Sequence, residues 1–240
     1  MSFISSPQSH EIGLPFIRLR DVSGKWNVRE DTDTLKSISL NAVCGQLTAI
    51  VGPVGNGKSS ILSAILGEMP TYQGKIQIEG NLSFASQVPW IFSGNVRQNI
   101  LFGEPYDDDR YAEVLRVCDL EKDIMKFDHG DFTLVGERGI ALSGGQKARV
   151  NLARAIYRKA DIYLLDDPLS AVDARVGNQL FWKCIKGFLK DKVVILITHQ
   201  IHYLKEADEI LVLQSGITYN CHKPHSVKLL VFKYILFQEK

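Results

Sequence analysis

Apolar residues follow two different rhythms along this chain. Three short runs are apolar almost without a break: 47–51, interrupted only by Thr48, then 162–165 and 193–197. Runs of that length without alternation predict strands buried on both faces, as in a parallel sheet. Elsewhere apolar and polar residues alternate. Phe16-Ile17-Arg18-Leu19-Arg20-Asp21-Val22 and Leu35-Lys36-Ser37-Ile38-Ser39-Leu40 read as antiparallel strands with one face exposed, joined by a charged loop. Segments 74–80 and 82–84 read as another exposed strand pair. Helical spacing takes over in 96–101, 108–118 and 120–127, which predicts a helical insertion within 88–150. Helices are also expected over 144–158 and 176–189, between the buried strands. Buried strands separated by helices make an α/β core covered on both faces, here with an antiparallel edge and a helical subdomain.

The first buried run leads directly into Gly52-Pro53-Val54-Gly55-Asn56-Gly57-Lys58-Ser59-Ser60, a match to the phosphate-binding P-loop G-x-x-x-x-G-K-[ST]. Its glycines let the backbone curl so that successive N–H groups face a triphosphate. A helix starting near Lys58 adds the positive end of its dipole. Lys58 is expected to reach the terminal phosphates, and the Ser59 hydroxyl to take a place on Mg²⁺. The strand before and the apolar helix after (Ile61, Leu62, Ile65, Leu66) are the context this motif requires. The chain is therefore expected to bind a nucleoside triphosphate.

Two further stretches carry chemistry. Ile162-Tyr163-Leu164-Leu165-Asp166-Asp167 is an apolar strand ending in two carboxylates. Asp166 suits a Mg²⁺ shell beside Ser59, and Asp167 would project toward the γ-phosphate and polarise the attacking water. Two aspartates before Pro168 serve equally well as a turn starter, but sharing a sheet with the P-loop favours the catalytic role. Leu142-Ser143-Gly144-Gly145-Gln146 precedes a helix with Ala148, Leu152, Ala155 and Ile156 on one face. A serine and two glycines at a helix start offer a hydroxyl and bare N–H groups, a second anion site.

Composition changes little in this picture. The chain has 240 residues, 45% of them hydrophobic, enough to bury a real core. Its 28 basic and 27 acidic residues leave a formal net charge of +1, without the basic excess of a nucleic-acid surface. Cys44, Cys118, Cys184 and Cys221 are scattered like reduced thiols rather than a disulfide framework. The start of the chain lacks the basic and apolar parts of a signal peptide, and no apolar stretch approaches the ~20 residues of a membrane helix. Taken by itself the chain is expected to be soluble.

Leu-Ser-Gly-Gly-Gln between a P-loop and a carboxylate-ended strand resembles the signature of ATP-binding cassette (ABC) proteins, and the resemblance runs from 16 to about 216. Gln87 matches the family's Q-loop, Ser170-Ala171-Val172-Asp173 its D-loop, His199 its switch histidine, and Trp26 the aromatic that stacks on adenine. Ser86-Gln87-Val88-Pro89-Trp90-Ile91-Phe92-Ser93-Gly94-Asn95 and Asp166-Asp167-Pro168-Leu169-Ser170 look like the multidrug-resistance-associated exporters of subfamily C, in particular their first nucleotide-binding domain. This implies a P-loop NTPase of ABC type that binds ATP and Mg²⁺. Trp26, residues 52–60 and Ser143, Gly144, Gly145 and Gln146 would hold nucleotide. Ser59, Gln87 and Asp166 would hold the metal, and Asp167, His199, Gln87 and Lys58 would serve catalysis.

The family implies partners as well. A second nucleotide-binding domain would pair head to tail, clamping ATP between one P-loop and the other signature. Transmembrane domains of an exporter would hold the assembly at the cytoplasmic face of a membrane. Nucleic acid is not an expected partner. Asp167 departs from the common pattern, being one methylene shorter than the usual catalytic glutamate, so a slow site is expected. An ATP-holding regulatory module without useful turnover is the competing reading. Residues 1–15 read as a disordered lead-in and 16–216 as the cassette. Residues 217–240 resemble none of the family's ending, which leaves its last edge strand missing. Cys221 and His222 with His225 show no fourth ligand for a metal.

Overall fold

The computed structural model describes residues 13–27, 32–136 and 139–221. Most of the expected lead-in, and the tail histidines beyond Cys221, lie outside the described residues.

The chain opens with two long strands, β1 (Phe16–Gly24) and β2 (Leu35–Val43), which pair antiparallel. Next come β3 (Leu47–Val51), the helix α1 (Lys58–Ile65) and β4 (Thr71–Glu79), whose return along β1 completes a three-stranded sheet ordered β2-β1-β4. β5 (Leu82–Ala85) precedes a mainly helical stretch of α2 (Val96–Leu101), α3 (Asp108–Val117) and the single turn α4 (Glu121–Ile124). A two-residue ribbon of β6 (Gly94–Asn95) and β7 (Leu134–Val135) closes that stretch at its base. The chain then alternates α5 (Gly144–Tyr157), β8 (Ile162–Asp166), α6 (Ala174–Leu180) and β9 (Val193–Ile197), ending in the hairpin of β10 (Glu209–Gln214) and β11 (Ile217–Cys221).

The large sheet is ordered β11-β10-β3-β9-β8-β5, and all its pairings are parallel except β10 with β11. Its unbroken apolar strands divide between two cores by simple alternation. Leu47, Ala49, Val51, Tyr163, Leu165, Val194 and Leu196 face the helical side, with α5 and α3. Ile50, Ile162, Leu164, Val193, Ile195 and Ile197 face the other way, onto α1 and the inner face of the three-stranded sheet (Ile17, Leu19, Ile38). Each fully buried side chain of this size contributes about 1.5–3 kcal/mol. Burial on both faces is why these strands carry no polar alternation.

Three sequence expectations need correction. The predicted pair 74–80 with 82–84 does not form: β4 pairs with β1, while β5 becomes the parallel edge beside β8. The chain crosses between sheets at Gly80 (φ 115°), where a Cβ would lie 2.9 Å from that of Asp161. Asn81 N–H donates to the Asp161 carboxylate at 3.0 Å, and Asn81 O accepts from Ile162 N–H, so β5 starts pinned to β8. Second, the helix expected over 176–189 is α6 followed by a π-helix, Phe181–Phe188.

Third, the edge strand expected to be missing is present. β11 pairs with β10 from Ile210↔Cys221 to Gln214↔Ile217. Ser215 (φ 51°) and Gly216 (φ 77°) form the tight turn between them, both left-handed as a two-residue hairpin loop demands. The Ser-Gly pair and the β-favouring Ile217-Thr218-Tyr219 were the signals available for it.

Candidate functional site

The P-loop runs from the end of β3 to the start of α1 and is clamped from two sides. At Gly52 a Cβ would fall 2.1 Å from Leu213 O on β10, so only glycine allows that approach. Gly57 precedes α1 in the left-handed region (φ 93°), where a Cβ would press on Thr34 O at 3.2 Å. No side chain caps α1, which leaves its first N–H groups available to an anion.

Ten of the expected site residues line one open cleft: Trp26, Val54, Gly55, Gly57, Lys58, Ser59, Ser60, Gln87, Asp166 and His199. Thr34 and Ile197 line it too, and nothing in the sequence marked them. Gly52, Pro53 and Asn56 belong to the loop without forming the cleft wall. Trp26 is half-exposed and donates from Nε1 to Ser60 Oγ at 3.0 Å, which fixes the ring at the rim.

Lys58 is buried, its Nζ donating to Gly52 O at 2.8 Å and Pro53 O at 2.9 Å. Burial lowers its pKa, against the opposing pull of Asp167 and Asp166. Asp166 ends β8, with Ser59 near enough to favour its charged carboxylate. Burial pushes its pKa up, and Ser59, Lys58 and His199 oppose that rise. The Ser59–Asp166 pair is the donor set Mg²⁺ favours, since that ion takes one or two protein oxygens and leaves the rest to water and phosphate.

Asp167 is held differently. Its backbone is left-handed (φ 47°), tolerated by aspartate more readily than by longer side chains. Its N–H donates to Ile197 O at 3.0 Å, and its carbonyl accepts from Ser170 Oγ at 2.8 Å, so it does open a turn into Pro168. Oδ2 lies 4.0 Å from His199 Nε2, while the buried Oδ1 has no hydrogen-bond partner. It is not part of the cleft wall.

Burial also raises the Asp167 pKa above its ordinary 3.8, with the His199 charge opposing. Between that value and the raised one, the native state holds a proton that the unfolded state has released. Stability from this group is therefore lost as pH rises through the native pKa. Asp167→Asn is expected to raise the thermal midpoint of the nucleotide-free protein at neutral pH. The gain should shrink on acidification, and a less stable variant at neutral pH would refute this account.

Ser143 to Gln146 lie outside this cleft. Ser143 caps α5: its Oγ accepts from Gln146 N–H at 3.2 Å, and Gln146 Oε1 accepts from Ser143 N–H at 2.8 Å. Gln146 Nε2 donates to Asp123, which also holds Arg149 at 2.7 Å. A Cβ on Gly144 would meet nothing, so open space lies before that helix end. Farther along α5, Asn151 Nδ2 donates to Ser86 O at 3.0 Å and so supports the segment carrying Gln87.

Residues 35–170 match the sequence profile of the family described as ABC transporter. The chain is 53% identical over 204 residues to ATP-binding cassette sub-family C member 4 of Mus musculus, and 51% identical to its Homo sapiens counterpart over the same length. Those alignments cover 85% of this chain and 15% of each relative. It is also 51% identical over 200 residues to the probable multidrug resistance-associated protein lethal(2)03659 of Drosophila melanogaster, covering 83% of this chain and 15% of that protein. The chain thus spans about 15% of the length of these relatives.

Proposed function

The chain belongs to the ABC transporter family, and from that premise we propose that it is an ATP-binding and ATP-hydrolysing cassette powering export of organic anions or drugs. It works through transmembrane domains at the cytoplasmic face of a membrane and with a second nucleotide-binding domain. Among the described residues no helix is long and apolar enough to cross a membrane. The cassette covers the 16–216 read from the sequence, its large sheet carried on by β11 to Cys221, with its helical subdomain at about 88–150.

One observation carries this reading: Lys58, Ser59, Gln87, Asp166 and His199 converge on one cleft while Ser143 to Gln146 stand apart from it. Two copies of such a surface, set head to tail, would bring each signature over the opposite P-loop. In that arrangement the α1 N–H groups and Lys58 bind the phosphates, and Trp26 stacks on the base. Ser59 and Asp166, with Gln87, would hold Mg²⁺, which neutralises charge developing on the phosphates. His199 and Asp167 orient the attacking water, and Ser143 with the start of α5 binds the γ-phosphate of the other site.

A docking face for the transmembrane domains is supported beside Gln87. Trp90, Phe92 and Phe102 cluster with ring centroids 5.6–5.9 Å apart, and Trp90 and Phe102 are more than half exposed. Exposed aromatics grouped in this way mark interaction surfaces.

The withdrawn position of Asp167 favours a slow site, in which this P-loop mostly holds ATP and Ser143 to Gln146 complete a faster partner site. The same observation supports the second reading, an ATP-holding module without useful turnover. ATP binding and hydrolysis measured on the purified chain over a range of concentrations tests the proposal. Binding with turnover that climbs steeply with concentration supports a self-paired ATPase. Binding without turnover at any concentration supports a half-site needing a different partner. Absence of binding refutes both.

A further inference from the structure

Asn56 occupies the middle of the P-loop but is not part of the cleft wall. Its side chain turns toward the end of the large sheet. Oδ1 accepts from Ser215 N–H at 2.6 Å, and Nδ2 donates to Val54 O at 3.3 Å, so both ends of the amide are engaged. Ser215 is the first central residue of the β10–β11 turn.

That turn makes two more contacts around the site. Gly216 O accepts from Lys36 N–H at 2.7 Å. Gly216 sits so close to Thr34 that a Cβ would lie 2.6 Å from Thr34 O, and Thr34 is itself a wall of the cleft. Just before the turn, Leu213 O abuts Gly52 at the P-loop's entry. The hairpin therefore touches the entry of the loop, its middle and the Thr34 wall that abuts the loop's end at Gly57.

We propose that the β10–β11 turn is a clasp holding the P-loop in its phosphate-binding curl, and that Asn56 is the positioning residue through which it acts. A glycine-rich loop has many conformations to lose on binding, about 1–2 kcal/mol of backbone entropy per residue. Ordering it beforehand strengthens binding without any new contact to ligand. This inference rests on the nucleotide-binding role given to the cleft above. Linkage makes it reciprocal: nucleotide that tightens the P-loop must also tighten the turn.

Two measurements on the full chain test this: the Kd for trinitrophenyl-ATP and the hydrogen exchange of the Ser215 amide, each without and with nucleotide. In the wild type, nucleotide should slow Ser215 exchange. Asn56→Ala removes one hydrogen bond, and should weaken binding roughly 5- to 10-fold and abolish the slowing. Asn56→Asp keeps an acceptor oxygen and should restore the slowing, whatever its added charge does to affinity. This is a rescue that a merely folded or unfolded loop would not show. Wild-type affinity in Asn56→Ala with unchanged Ser215 exchange overturns the clasp. So does weakened binding with Ser215 still slowed by nucleotide, because Asn56 would then act on the ligand directly. A wild type that binds no nucleotide overturns the cleft's role and the clasp with it, and is told apart by the unmutated protein alone.

Discussion

Asp167→Glu is expected to raise ATP turnover by about 100-fold in whichever pairing sustains hydrolysis, since an error near 1 Å in placing a reacting group costs about that much. The aspartate carboxylate stops short of the cleft, with Oδ2 4.0 Å from His199 Nε2 and Oδ1 buried without a partner. One added methylene carries the carboxylate forward while His199 stays where it is. The left-handed backbone at this position (φ 47°) makes the longer side chain less comfortable, by roughly 1 kcal/mol. The variant should therefore melt slightly earlier while turning over faster, opposite changes that no general stabilisation produces. Equal turnover in the two proteins, measured as phosphate release at saturating ATP, would sink the slow-site reading.

Lys58→Ala should weaken ATP binding by roughly 10- to 100-fold, the worth of one or two charge-assisted hydrogen bonds. Lys58 Nζ rests on Gly52 O and Pro53 O, both in the loop that phosphate would occupy. Binding would exchange those carbonyls for phosphate oxygens, which accept more strongly from an ammonium. Burial has already lowered the Lys58 pKa, so an arriving anion also restores the charged form's advantage. Isothermal titration with ATP and with adenosine separates the effects. The variant should lose affinity for ATP and leave adenosine untouched, because in the function proposed above the base stacks on Trp26, another residue of the cleft wall. Equal losses for both ligands would mean that the substitution had damaged the fold.

Much of this was legible from residue order. The buried strands β3, β8 and β9 announced themselves because both faces are covered, which removes the polar alternation an exposed face imposes. The P-loop was legible for a related reason: its glycines are demanded locally, by the approach at Gly52 and the left-handed start of α1 at Gly57. The capping of α5 by Ser143 and Gln146 is likewise a contact between near neighbours.

What the sequence alone determined is whatever depends on short-range chemistry: the α/β alternation, the phosphate loop, the carboxylate-ended strand and the membership those motifs carry. Tertiary structure decided what depends on residues far apart in the chain. It sent β4 and β5 to different sheets, because Asn81 bonds to Asp161 eighty residues on. It drew Asp167 back from the cleft and set Thr34 into its wall. It added β11 and tied Ser215 to Asn56 across 159 residues. Local spacing encodes none of these pairings: they form only when the packed sheets bring distant backbone groups within hydrogen-bonding reach.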